Sequence, residues 1–147
     1  MSIPTEFDFA LVKVGDGATP TEGFTAICGI ENAVINMTVS TDDHFVRDCA
    51  APGKVPQRRV KVNGKQTDIT GSGLSNADTI EDLIDALGFS KNYKVEGYRR
   101  DGTDAGELLG TYSGPFVMTA NNLSITSQAT GEITLASDGD VTYTPAP

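Results

Sequence analysis

The chain has 147 residues and a mass of 15.5 kDa, which fits one domain with its own hydrophobic core. Its formal net charge of −9, from 20 acidic and 11 basic residues, argues against a protein that binds nucleic acid by releasing counterions from the phosphates. The 16 glycines, 7 prolines and missing tryptophan favour short strands joined by turns. The N-terminus is no signal peptide and no segment approaches the ~18 apolar residues of a membrane span, so we expect a protein made and kept in a cytoplasm.

The first predicted strands are short pieces separated by turn residues. Residues 7–14 alternate in polarity, and residues 24–30 form a second piece. Residues 33–40 have the period of two that is typical of a half-buried strand. The apolar face of this strand would consist of Ala33, Ile35, Met37 and Val39.

Residues 41–57 break the strand pattern with two prolines, a glycine and scattered charges. They predict a long extended loop, and loops of this length in small domains are usually functional or disordered. After the loop, Asn63–Gly64 is a strong signal for a two-residue hairpin turn. We therefore expect strands on both sides of that pair.

One helix is predicted over residues 78–87. Its N-terminal caps are offered by Ser75, Asn76 and Asp78, and Gly88 follows at the expected stop. Apolar residues at helical spacing predict a single stripe that packs on the sheet. The stripe consists of Ile80, Leu83, Ile84 and Leu87.

The remaining strand signals lie after the helix, at residues 93–100, 108–112, 116–119, 123–125, 133–135 and 141–143. The order of strands, one helix and further strands predicts a mainly β (α+β) chain. The corresponding architecture is a β-sandwich with one helix docked at its side.

Chemistry-bearing residues are few. His44 lies beside Asp42 and Asp43, but a cysteine-protease arrangement would also need Cys28 or Cys49 to meet it, and no protease signature surrounds them. One histidine and two cysteines are too few for the usual structural zinc site, so free buried thiols are expected. We predict no enzymatic activity, no cofactor and no metal.

The order of four segments carries a family resemblance: LVKVGDG at 11–17, FTAICGI at 24–30, DITGSG at 68–73 before the helix, and VTYTP at 141–145. In this order they resemble the major tail tube proteins of long-tailed, siphovirus-type bacteriophages. The resemblance implies a β-sandwich or squashed barrel with one flanking helix. It also implies that six copies form a ring and that rings stack into a hollow tube.

The same resemblance implies the partners and location of the chain. The partners would be further copies of itself and the tape measure, tail terminator and distal tail proteins, with no membrane. Phage DNA would pass through the lumen into the host without specific binding, which an acidic surface favours. The chain would be assembled in the bacterial cytoplasm and reside in the virion tail.

Two segments would make contacts between subunits or rings if the resemblance holds. The first is the loop at 41–57, with candidate contacts at Asp42, Asp43, His44, Phe45, Arg47, Asp48 and Lys54. The second is an N-terminal arm at 1–6, with candidate contacts at Ile3, Pro4 and Glu6.

Other functions remain as alternatives. Another virion component, such as a tail terminator or head decoration protein, would have similar composition, and so would the tube of a contractile injection system. A carbohydrate- or protein-binding module would need an exposed aromatic cluster, which a chain with no tryptophan and four tyrosines supports poorly. An enzyme ranks third.

Overall fold

Eight strands and one helix form the part of the chain that the computed structural model describes, residues 5–17, 21–27, 29–75 and 77–146. In chain order they are β1 (Phe9–Gly15), β2 (Phe24–Ala26), β3 (Ile30–Val46), β4 (Gln57–Leu74), α1 (Ala77–Ala86), β5 (Ser90–Arg99), β6 (Glu107–Ser124), β7 (Thr130–Ser137) and β8 (Thr142–Pro145). The predicted mainly β class with one helix is confirmed.

The strands form one antiparallel sheet that folds over on itself. The strand order is β2-β1-β5-β6-β7-β4-β3, with β8 also paired to β6. The long strand β6 belongs to both halves, because Glu107–Val117 pairs with β5 and Phe116–Ser124 pairs with β7. At the other end of the order, β3 comes back to contact β1 across the interior. The result is a sandwich of two layers, β2–β1–β5–β6–β8 and β6–β7–β4–β3.

Alternate side chains of both layers point between them and make the core. Tyr93 meets Phe116 edge to face there, with ring centroids 6.3 Å apart. Each fully buried side chain of this size contributes about 1.5–3 kcal/mol to stability. The fully buried members are Val12, Ile69, Tyr93, Phe116, Met118, Ile133 and Leu135.

Helix α1 lies within one residue of its predicted bounds and packs near β6, but only part of its predicted stripe is buried. Leu83 is 9% exposed and Leu87, which pairs with Met118 of β6, is 41% exposed, whereas Ile84 is 59% exposed. At about 100° per residue, Ile80 and Ala86 flank Leu83 by about 60° on either side, while Ile84 is about 100° away. The helix therefore contacts the sandwich along a narrow line, and the predicted packing of Ile84 is wrong.

The helix ends as the sequence predicts, at Gly88, which has a φ of +84°. The backbone N–H of Gly88 donates to the carbonyl of Met118 at 3.0 Å and fastens this end to β6. Among the described residues, no helix is long and apolar enough to cross a membrane. Asn76, one of the predicted caps, lies outside the described residues.

The long loop predicted at 41–57 is wrong in its extent. Strand β3 continues to Val46 and β4 begins at Gln57, so only residues 47–56 form a loop. The charges in this stretch do not prevent pairing because both faces of these strands are exposed, and Asp43 accepts from Arg58 at 3.3 Å across the pair.

The hairpin turn predicted at Asn63–Gly64 is also wrong. Ser40 pairs with Gly64 and Thr41 pairs with Val62, so Asn63 is an extra residue within β4. The turn-forming pair Asn63–Gly64 makes a β-bulge instead of a turn. A bulge, like a turn, interrupts the regular strand geometry, but it does not reverse the chain.

Candidate assembly surfaces

The outer parts of β3 and β4 leave the body of the protein. Strand β4 pairs with β7 only between Asp68 and Leu74, so residues 38–66 form a two-stranded ribbon with a loop at its tip. We call residues 38–66 the arm. Nearly all of its residues are exposed. Nine residues of β3 in an extended strand give it a length of about 30 Å.

One face of the arm, which we call its apolar face, carries most of the apolar side chains together with Lys65 and the Asp43–Arg58 ion pair, and the other face is polar. Directly opposite residues of an antiparallel pair share a face, so Phe45 and Val39 lie on the same side as Val60 and Val62. Val39 is 52% exposed and Phe45 is 72% exposed. This side continues the core row of Ile35 and Ile69 outward, so the apolar surface of the arm is an uncovered extension of the core.

The opposite face of the arm is polar. Asp42 pairs with Lys61, and His44 pairs with Arg59. Of the predicted contacts in the loop, the structure therefore places Asp42 and His44 on the polar face and Asp43 with Phe45 on the apolar face. Val60 belongs to this surface but was not among the predicted contacts, although the alternation of residues 58–62 is a strand pattern that indicates it.

The tip of the arm, residues 47–56, is held by its own polar groups. Arg47 donates from Nη1 to the carbonyl of Pro52 at 2.7 Å. The carboxylate of Asp48 accepts from the N–H of Ala50 at 2.9 Å. Arg47 and Asp48 thus shape the tip, whereas Lys54 is exposed there.

The tip also corrects the prediction of buried thiols. Cys49 is a free and exposed cysteine, and Cys28 lies outside the described residues. In the described ranges, no group of three or more His, Cys, Asp or Glu side chains is placed to hold a metal ion.

The N-terminal segment is described from residue 5, so Ile3 and Pro4 lie outside the described residues, and Glu6 is exposed. The chain is fastened to β5 just after this point. The N–H of Asp8 donates to the carbonyl of Tyr98 at 2.9 Å, and the Asp8 carboxylate accepts from the N–H of Arg100 at 2.7 Å.

An apolar cavity of about 410 Å³ lies between the layers near the base of the arm. Its walls include Ile35 from β3, Val95 from β5 and the aromatic pair Tyr112 and Tyr143, whose ring centroids are 4.9 Å apart. The ring of Phe7 closes over Gly97, and because an added Cβ would lie 2.5 Å from the ring, a larger residue here would displace Phe7. The cavity carries no cluster of catalytic groups.

A partly buried ion pair lies on the outer side of the β1–β5 layer. Lys13 donates to Glu96 at 2.9 Å, and the hydroxyl of Tyr98 donates to the same carboxylate. Burial alone would raise the pKa of Glu96, but the hydrogen bond from Tyr98 and the charge of Lys13 together lower it below its ordinary value. Burial and the hydrogen bond to Glu96 raise the pKa of Tyr98 to about 12. This cluster joins β1 to β5.

Solved structures with a similar fold exist, whereas the sequence alone has no match. No protein-family model matches the sequence, and no curated protein matches it. The fold is similar to a chain from the tail of an empty gene transfer agent particle refined with helical, C6 symmetry, at a TM-score of 0.63 and 21% identity, covering 91% of this chain and 94% of that one.

Two further solved structures have the same fold. A chain of the PVC sheath-tube complex, from an extracellular contractile injection system in its extended state, has a TM-score of 0.60 and 20% identity over 97% of this chain and 93% of that one. The crystal structure of an Hcp protein has a TM-score of 0.53 and 13% identity over 94% and 99% of the two chains. The predicted type of fold, a β-sandwich with one flanking helix, is confirmed over almost the whole chain.

Proposed function

We propose that the chain is a structural subunit of a hollow tail tube, in which six copies form a ring and rings stack helically. The tube belongs to the tail of a long-tailed, siphovirus-type bacteriophage or a particle derived from one, and it conducts DNA into the host. The chain has no enzymatic role in this proposal. It is assembled in the host cytoplasm and resides in the virion tail.

The observation that carries the proposal is the arm. A two-stranded ribbon is marginal by itself in water, and an exposed apolar surface that continues a core marks a site of association. Burying half-exposed side chains such as Val39, Val60 and Val62 against another copy contributes on the order of 1 kcal/mol each. Repeated around a ring and along a stack, such small contributions add up to a stable polymer.

The proposal also includes the partners of the chain. The apolar face of the arm, with Phe45, contacts a neighbouring copy, and the N-terminal residues Ile3, Pro4 and Glu6 make a second contact. The tube ends meet the tail terminator and distal tail proteins, and the tape measure protein occupies the lumen during assembly. Six copies bring on the order of fifty net negative charges to each ring, which favours passage of DNA without binding.

A matched pair of double variants tests the arm. Phe45→Ser with Val60→Ser removes two side chains of its apolar face, and His44→Ser with Lys61→Ser removes two neighbours on its polar face. At high protein concentration, negative-stain microscopy should show hollow tubes for the wild type and the polar-face variant. The apolar-face variant should remain folded by circular dichroism but form no tubes.

Two results would contradict the proposal. Permanent monomers or discrete capsid-sized particles of the wild type would exclude a tube subunit. Tubes of normal length from the apolar-face variant would show that the arm is not the contact surface.

The second candidate is a terminator or the tube of a contractile injection system. It is favoured by likeness to a chain in the PVC sheath/tube terminator structure, with a TM-score of 0.62 and 20% identity over 98% of this chain and 99% of that one. A terminator would form single closed rings that do not stack. A tube of a contractile system would recruit its sheath protein when the two are mixed, which sedimentation detects.

A further inference from the structure

The cavity between the two layers exists because small residues occupy one end of the β1–β5–β6 layer. Gly97 of β5 lies directly opposite Gly110 of β6, and Ala10 of β1 pairs with Gly97 on its other side. Directly opposite residues share a face, so these three form one row beside the buried pair Val12 and Val95. The gap of about 410 Å³ above this row falls in the range of about 300–1,000 Å³ that is typical of small-molecule sites.

Aromatic rings stand on this floor of glycines. The ring of Phe7 lies over Gly97, and the phenol of Tyr143 lies over Gly110, where an added Cβ would be 2.8 Å from Cε1 of that ring. Tyr112 lies beside Tyr143 and also lines the cavity. A side chain at either glycine would displace these rings, so the glycines allow three aromatic residues to line one cavity. The faces of aromatic rings are negative and attract cations.

The charges that line the cavity have one sign. Asp8 and Glu31 line it, and among its described residues there is no lysine, arginine or histidine. The carboxylate of Asp8 accepts from the N–H of Arg100 and keeps further acceptor capacity, and Glu31 is exposed. In the described part of the chain neither carboxylate forms a salt bridge, in contrast to Glu96, which Lys13 neutralises. Both acids therefore favour a positively charged guest.

The lining also distinguishes between classes of guest. An anion would meet two carboxylates, and a neutral apolar molecule would leave both of them without a counter-charge. A metal ion would have too few ligands, because within the described ranges no three His, Cys, Asp or Glu side chains come together. An organic cation is the class that uses both the aromatic walls and the carboxylates.

We infer that this cavity is a binding site for a small organic cation with an apolar body, such as a quaternary ammonium ion. Its alkyl groups occupy the space above Gly97 and Gly110. Its cationic centre lies against the rings of Tyr112 and Tyr143, and the exposed carboxylate of Glu31 balances its charge. The site goes beyond the proposed function and does not depend on it, because its walls all belong to one subunit.

Two probes of equal shape test the charge of the guest. Choline carries a trimethylammonium group, and its neutral analogue is the alcohol in which a tert-butyl group replaces the trimethylammonium. Binding to the monomeric subunit is measured by ligand-observed NMR at equal ionic strength. Choline should bind saturably with a Kd on the order of 1 mM, and at least about fivefold more tightly than the alcohol.

A matched pair of carboxylate variants tests where the cation binds. Glu31→Gln should weaken choline binding by about threefold and leave binding of the alcohol unchanged. Glu81→Gln removes an exposed carboxylate of helix α1 that does not line the cavity, and it should change neither affinity. Tyr143→Leu keeps an apolar side chain but removes the ring, so it should weaken choline binding more than binding of the alcohol.

A filling variant tests whether the cavity itself is occupied. Ala33→Leu adds bulk from the β3 side and should abolish binding of both probes while circular dichroism remains that of the folded subunit. Unchanged choline binding to this variant would overturn the inference. Equal affinity of the wild type for both probes, or equal losses in Glu31→Gln and Glu81→Gln, would also overturn it, as would an absence of saturable choline binding. If Ala33→Leu does not fold, the two carboxylate variants decide.

Discussion

The substitution Val→Ala, made once in the core at Val12 and once on the arm at Val39, should have different effects on stability. Val12 is 0% exposed and lies opposite Val95 in the core, whereas Val39 is 52% exposed on the arm. Val→Ala removes the equivalent of two methylene groups. At Val12 this costs about 1.6 kcal/mol for transfer plus a cavity contribution, so we expect a loss of about 2 kcal/mol. At Val39 the side chain is already half in water, and we expect a loss of about 0.5 kcal/mol or less.

The measurement is urea unfolding followed by circular dichroism, at concentrations where size-exclusion chromatography gives a monomer. A drop in midpoint with an unchanged m-value reports a change in stability alone. If Val39→Ala costs as much as Val12→Ala, the arm is already packed within its own subunit. The case for the arm as a surface between copies would then be lost.

Four further substitutions have defined outcomes. The pKa of Glu96 is lowered in the folded protein, so its stabilising contribution is present above its ordinary value of 4.5 and is lost as the pH falls below it. Glu96→Gln should therefore reduce the urea midpoint at neutral pH and flatten its decline in acid; an unchanged acid limb would contradict this. The buried hydroxyl of Tyr93 has no hydrogen-bond partner among the described residues. Tyr93→Phe should therefore leave the free energy of unfolding unchanged or raise it by up to about 1 kcal/mol. A clear loss of stability would instead reveal a partner such as bound water. Leu83→Asp should unfold the subunit, whereas Ile84→Asp should change its midpoint little, and equal effects would refute the narrow contact of the helix.

The sequence predicted the elements that depend on local patterns. The helix was placed within one residue, because its apolar spacing and Gly88 are properties of neighbouring residues. The buried face of the helix was predicted less well. The predicted stripe includes Ile84 and is therefore wider than the face that the sandwich covers.

The arm was predicted poorly because its pairing is a property of two distant segments. The charges around Asp43 indicate a loop when β3 is considered alone, and they become cross-strand partners when β4 lies beside it. Asn63–Gly64 has the local preferences of a turn, but pairing continues past it and leaves a bulge.

The strand order also affects how long a newly made subunit remains prone to misassembly. The arm consists of two successive strands and can form as a hairpin in about 1–10 μs. By contrast, β1 pairs with β5, which is synthesised much later, so this pairing forms only then. Sheets with such distant pairings fold slowly. A newly made chain therefore presents its apolar ribbon before its body is finished, in a period when premature association is a hazard. Mutual repulsion between acidic chains slows such encounters and gives the sandwich time to close.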